Sequence, residues 1–170
     1  MRVFKETDFQ PMEQFSLSWR WTDERWNKLP PDHLTQIRPF TATKAAELFQ
    51  IAKELFSRDG LNVELFDIVA RFDDRSSLSE DEARRWLQEM LRVNEPVIVL
   101  WDDDLAVLTS TEVFCRYWDD FCYPISHNVH IWPPENDWAL FYWREEQFRF
   151  GRLKPVNVQR AMNEITAVGG

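Results

Sequence analysis

Val97-Ile98-Val99-Leu100-Trp101-Asp102-Asp103-Asp104-Leu105-Ala106-Val107-Leu108 is the stretch on which the fold turns. Two apolar runs, rich in valine and leucine and separated by three aspartates, read as two strands joined by a tight acidic turn. The first run is unbroken rather than alternating, the pattern of a central strand covered on both faces. Further strands are expected downstream at Val129-His130-Ile131-Trp132, at Trp138 to Trp143 beyond the polar loop 133–137, and at Gln147-Phe148-Arg149-Phe150 beyond the turn Arg144-Glu145-Glu146.

Helical signals surround this meander. Thr41 can cap a helix whose Ala45, Leu48, Phe49, Ala52, Leu55 and Phe56 recur at spacings of three and four, with Gly60 offering a stop. Ser79 and Glu82 form a capping box for a helix over about 80–92, and Thr109 with Glu112 forms another before Val113, Phe114, Tyr117, Trp118 and Phe121, ahead of Pro124. Pro30 and Pro31 open a short turn through Leu34 and Ile37. Near the start, Phe15, Leu17, Trp19 and Trp21 alternate with Ser16, Ser18 and Arg20, which predicts a strand over about 14–22. Residues 61–72 fit helix and strand templates about equally and are taken as helix, and a terminal helix is expected over 156–165. Helices dominate 30–92 and strands 97–151. The expected architecture is therefore α+β, one domain over 1–170, an antiparallel sheet of about five strands with three to four helices packed on it.

With 170 residues, of which 44% are apolar and 15% aromatic, the chain has ample core material and needs no metal or disulfide to fold. Charge is distributed unevenly. Residues 1–60 carry nine Lys/Arg against nine Asp/Glu, residues 61–125 six against fifteen, and residues 126–170 five against five, so the net charge of −9 resides in the middle segment. Such a segment suits a basic protein partner and disfavours nucleic acid or an anionic membrane. Four glycines, two of them terminal, leave no glycine-rich phosphate loop or dinucleotide fingerprint. The opening MRVFKETDFQPMEQ has no apolar signal region and the longest apolar run is six residues, which makes the cytoplasm the expected location. Cys115 and Cys122 read as buried reduced thiols.

No catalytic residues, cofactor or metal ligands are expected. Asp102, Asp103 and Asp104 lack the alternating ligand spacing of a calcium loop, so the plain reading is a solvated turn and the functional one an acidic knob facing a partner. Asp119 and Asp120 are placed at a helix end where negative charge opposes the dipole, which hints at an external use. His127 and His130 are three apart on loop and strand and so face opposite sides. Glu145 and Glu146 read as a solvated turn. Most tryptophans occupy apolar phases, but Trp132, Trp26 and Trp143 stand where elements end, as interface anchors or rim packing.

The order of landmarks resembles a family of small bacterial proteins known as a domain of unknown function. These are Trp19, then Leu34-Thr35-Gln36-Ile37-Arg38-Pro39, Lys44-Ala45-Ala46-Glu47-Leu48, the acidic tripeptide after an apolar strand, the aromatic helix Val113 to Phe121 and the closing Trp138…Phe148…Phe150-Gly151 hairpin. The resemblance spans most of the chain except 60–95 and brings no catalytic residues. In size, acidity and aromatic content the chain is also similar in general character to immunity proteins that neutralise bacterial toxins. The leading expectation is a non-enzymatic binding protein docking a basic protein, possible toxins included, through Asp102, Asp103, Asp104, Asp119 and Asp120, with Trp101 and Trp132 as buried anchors. The alternative is a small-molecule binder or enzyme with an aromatic-lined pocket using His130, Glu145 or Cys122.

Overall fold

The computed structural model describes residues 3–58, 60–73, 80–124, 126–145 and 147–155. Its α+β architecture is built on a seven-stranded, wholly antiparallel sheet of order β1-β6-β5-β7-β8-β9-β4, with a separate two-stranded β2-β3 pair. The strands are β1 (Arg38–Pro39), β2 (Phe56–Ser57), β3 (Gly60–Leu61), β4 (Phe66–Asp73), β5 (Pro96–Asp102), β6 (Leu105–Ser110), β7 (Val129–Trp132), β8 (Trp138–Trp143) and β9 (Gln147–Leu153). Six α-helices accompany them among the described residues: α1 (Trp19–Thr22), α2 (Pro31–Leu34), α3 (Ala42–Leu55), α4 (Glu80–Met90), α5 (Thr111–Arg116) and α6 (Trp118–Phe121).

The acidic hairpin forms as its sequence requires. β5 and β6 pair with Val97 opposite Thr109, Val99 opposite Val107 and Leu100 opposite Ala106, and β7 closes the other side of β5. Every residue from Val97 to Trp101 is buried. Odd and even positions serve different faces. Val97, Val99 and Trp101 join Val129, Ile131, Leu140, Tyr142, Phe148 and Phe150 in one core, while Ile98, Leu100, Trp132, Ala139 and Phe141 join the other. Burying each such aliphatic side chain stabilises the fold by about 1.5–3 kcal/mol. That explains why the central strands admit no polar alternation.

α3 covers the second core with Ala45, Leu48, Ala52 and Leu55, and the Thr41 hydroxyl accepts from the Lys44 amide at 3.2 Å as its N-cap. The helix stops at Leu55 because Asn62 takes over its last carbonyls, its amide donating to Leu55 O at 3.0 Å and its side chain to Glu54 O at 2.8 Å. Phe56 therefore enters β2, and Gly60 acts later, in the β2–β3 pair, at a φ of 152° that side chains rarely adopt.

Three expectations are corrected. Residues 14–22 form no strand: Phe15, Arg20 and Trp21 are the buried positions, consecutive burial at 20 and 21 breaks the alternation, and α1 begins at Trp19. Residues 66–73 are an edge strand rather than a helix. β9 supplies the partner; Phe66 and Ile68 join the α3 core, and beyond a bulge between Ile68 and Ala70, Phe72 packs into the opposite core against Trp86. The cap at 109 shifts by one residue. Thr109 is buried in β6, Ser110 Oγ accepts from Val113 N at 3.1 Å, and the helix divides at Tyr117, whose φ of −119° and ψ of 30° are not helical. Ser79 and residues 156–165 fall outside the described residues, and strands and short helices are more numerous than the expected five and four.

Candidate functional site

Asp102, Asp103 and Asp104 stand exposed at the tip of the β5–β6 hairpin. Asp102 Oδ1 accepts from the Asp103 amide at 2.9 Å, and none of the three has an ion-pair partner among the described residues. Trp101, one residue earlier, is no surface anchor: it is 4% exposed, its indole donates to Phe121 O at 2.8 Å, and its ring packs among Phe15, Trp21 and Phe121. Trp132 is likewise withdrawn. It sits opposite Ile98 in the middle of the sheet, fully buried against Phe56, because even positions of β5 and β7 face the α3 core.

The Trp101–Phe121 hydrogen bond ties the strand that leads into the hairpin to the end of α6, so the residues adjoining the two acidic stretches touch. Asp119 is half-buried and also free of ion pairs among the described residues. Asp120 is not available for docking. Only 5% exposed, it accepts a 2.6 Å hydrogen bond from the Asn27 side chain, and its carboxyl is pushed up to about 6, first by burial and then by the nearby Asp119 and Glu80 carboxylates, against the pull of Asn27 and Arg20. Glu80 enters this neighbourhood because the Trp118 indole donates to its carbonyl at 3.1 Å, seating the start of α4 beside α6.

Arg20, which alternation placed on a solvent face, is 2% exposed. Its Nη1 donates to Phe121 O at 3.3 Å, and its guanidinium lies 4.4 Å from the Tyr123 ring centroid and under 6 Å from those of Trp19 and Trp101. Burial pulls its pKa down, while Tyr123, Cys122 and Asp120 oppose the shift. Nothing in the spacing of a lone arginine announces this role, although tryptophans on both sides of it are the available signal.

The exposed aromatic of this region is Trp26. It is 61% exposed, its ring lies 5.2 Å from that of Trp19, and Trp19 stacks on Tyr123 at 5.8 Å. Its neighbour Asn27 is the donor to Asp120, which pins the indole beside the acids of α6. Of the three tryptophans at element ends, Trp26 is thus the one that faces outward; Trp132 is core and Trp143 half-buried. An exposed indole is suited to a cationic group, which its ring face attracts.

The groups considered for chemistry lie apart. Cys122 is buried and its thiol is pushed well up by desolvation, and Cys115 is pushed up to about 12, so neither is a reactive thiolate. Glu145 is exposed in the β8–β9 turn. His130 lines a cavity of about 350 Å³ with Phe49, Lys53, Phe56, Ser57 and Arg58, and among the described residues no carboxylate lines it. Among the described residues no group of three His, Cys, Asp or Glu side chains is placed to hold a metal ion, and no helix is long and apolar enough to cross a membrane. Comparison with protein-family models, with curated proteins and with solved structures finds no match.

Proposed function

We propose that this chain is a binding protein that docks a basic protein surface through Asp102, Asp103, Asp104 and Asp119, with Trp26 as its aromatic anchor. What supports the reading is that these four carboxylates have no ion-pair partner among the described residues, that Trp101 joins the hairpin strand to Phe121 of α6, and that Trp26, 61% exposed, adjoins Asn27, the donor to Asp120. Neutralisation of a basic toxin is the most specific form of the proposal. Solvated carboxylates steer an oppositely charged partner and raise its association rate, whereas the buried ring contact governs how slowly it leaves. Trp26 therefore replaces Trp101 and Trp132 as the anchor, and Asp120 becomes a support for the loop that carries it.

Affinity capture on the immobilised chain, followed by association kinetics with the recovered protein, tests this. The recovered partner should be basic. Its association rate should fall steeply with salt and drop roughly tenfold or more for a variant carrying Asp102→Asn, Asp103→Asn and Asp104→Asn together, and Trp26→Ala should act mainly on dissociation. Unchanged association by the triple variant, or a rate indifferent to salt, sinks the docking model.

A further inference from the structure

A second site lies on the opposite core, where the end of α3 meets the β2–β3 pair. The cavity of about 350 Å³ there is lined by Phe49 and Lys53 of α3, Phe56, Ser57 and Arg58 of the β2 segment, and His130 of β7. Lys53 Nζ lies 5.5 Å from the Phe49 ring centroid, so the cation is held over an aromatic wall rather than against an acid. Among the described residues neither Lys53 nor Arg58 has an ion-pair partner and no carboxylate lines the cavity.

His130 completes the lining as a hydrogen-bonding group rather than a third cation. Its Nδ1 lies 3.4 Å from Leu100 O, which assigns the ring proton to Nδ1 and leaves Nε2 as an acceptor. Phe56 and Phe141 hold the ring edge-on and tilted, at 4.8 and 5.4 Å, and burial pulls its pKa down to about 4.

We infer that this cavity binds a small organic phosphate monoester, its phosphate between Lys53 and Arg58 and its organic body against Phe49 and Phe56. Two cations match a group that carries about −1.5 to −2 charge at neutral pH, where a carboxylate would neutralise only one of them. His130 reports occupancy because its ring lines the same cavity. The phenyl walls favour a compact apolar or ring-bearing body over bare phosphate.

Titration with phenyl phosphate, inorganic phosphate and benzoate, followed calorimetrically and by the His130 ring NMR signal, tests the site at low salt. Phenyl phosphate should bind tighter than inorganic phosphate, both tighter than benzoate, and each should move the His130 signal in proportion to occupancy. Lys53→Gln and Arg58→Gln, both at exposed side chains, should each weaken phenyl phosphate roughly tenfold without altering the melting temperature. The triple aspartate variant of the docking surface should bind it as the wild type does. Benzoate binding as tightly as phenyl phosphate, a His130 signal indifferent to phenyl phosphate, or both glutamine variants binding like wild type overturns the assignment.

Discussion

On one face of the seven-stranded sheet a single helix of 14 residues, α3, lays Ala45, Leu48, Ala52 and Leu55 over Ile98, Leu100 and Ala106. On the other face α4, α5 and α6, with Phe15, Trp21, Leu29 and Ile37 from the N-terminal segment, share the cover, and the longest of these helices has 11 residues. A long periodic helix presents one uninterrupted apolar stripe. Short pieces meet at seams, and at the seam between α1 and α6 an arginine and an aspartate are enclosed with only rings, one asparagine and one carbonyl to satisfy them. Asp119 and Trp26, sequence neighbours of Asp120 and of its donor Asn27, stay at the surface beside that seam.

The sharpest break of this contrast comes from the core on each side. Trp21→Ala should destabilise by about 3–5 kcal/mol and Leu48→Ala by about 2–5 kcal/mol in urea unfolding, since Trp21 is fully buried against Phe15, Trp101 and Phe121 and Leu48 is 1% exposed. A small loss from Trp21→Ala would show that the assembled face is not a packed core.

Asp120 sharpens the comparison through pH. Its carboxyl is raised from 3.8 to about 6 in the folded chain, so the fold holds that proton more tightly than the unfolded chain does. Ionised Asp120 therefore opposes folding: its penalty is absent below its unfolded value, grows between 3.8 and about 6, and is full above that. Asp120→Asn should gain on the order of 2 kcal/mol at neutral pH, and the gain should shrink toward zero as pH falls through this window. A gain that is constant with pH would remove Asp120 from the seam. No such titration is expected for a variant on the α3 face such as Leu48→Ala.

The smallest effects are at the helix starts. Thr41→Ala on α3 and Ser110→Ala on α5 should each cost about 1 kcal/mol, because each hydroxyl satisfies one amide, from Lys44 and Val113 respectively. Thermal unfolding of the two variants checks this, and a neutral Ser110→Ala would return the cap to Thr109.

Legibility followed the same division. α3 and its Thr41 cap, the β5–β6 hairpin and the strands Val129–Trp132 and Trp138–Trp143 could be read directly, because their periodicities are long and single-valued. The exposed hairpin acids were readable too, since three consecutive aspartates have nowhere to go but a turn. Residues 14–22 were misread because four alternating aromatic or aliphatic positions satisfy the strand template, while the pocket that receives Phe15 and Trp21 is assembled from β5 and α6, far along the chain. The acids of the hairpin were legible but the outward turn of Trp26 was not: adjacency to a turn does not say whether an indole points to solvent.

By itself the sequence determined the α+β class, the central acidic hairpin, the long capped helix and the concentration of negative charge between residues 61 and 125, all properties of short windows governed by local geometry and composition. Only the tertiary structure decided that 66–73 pairs with β9, that Trp101, Trp132 and Asp120 turn inward while Trp26 turns out, and that Lys53, Arg58 and His130 share a cavity. The physical reason is that burial and proximity depend on which distant segment covers a side chain, and that choice is made by the packing of both sheet faces at once rather than by any residue's neighbours in the chain.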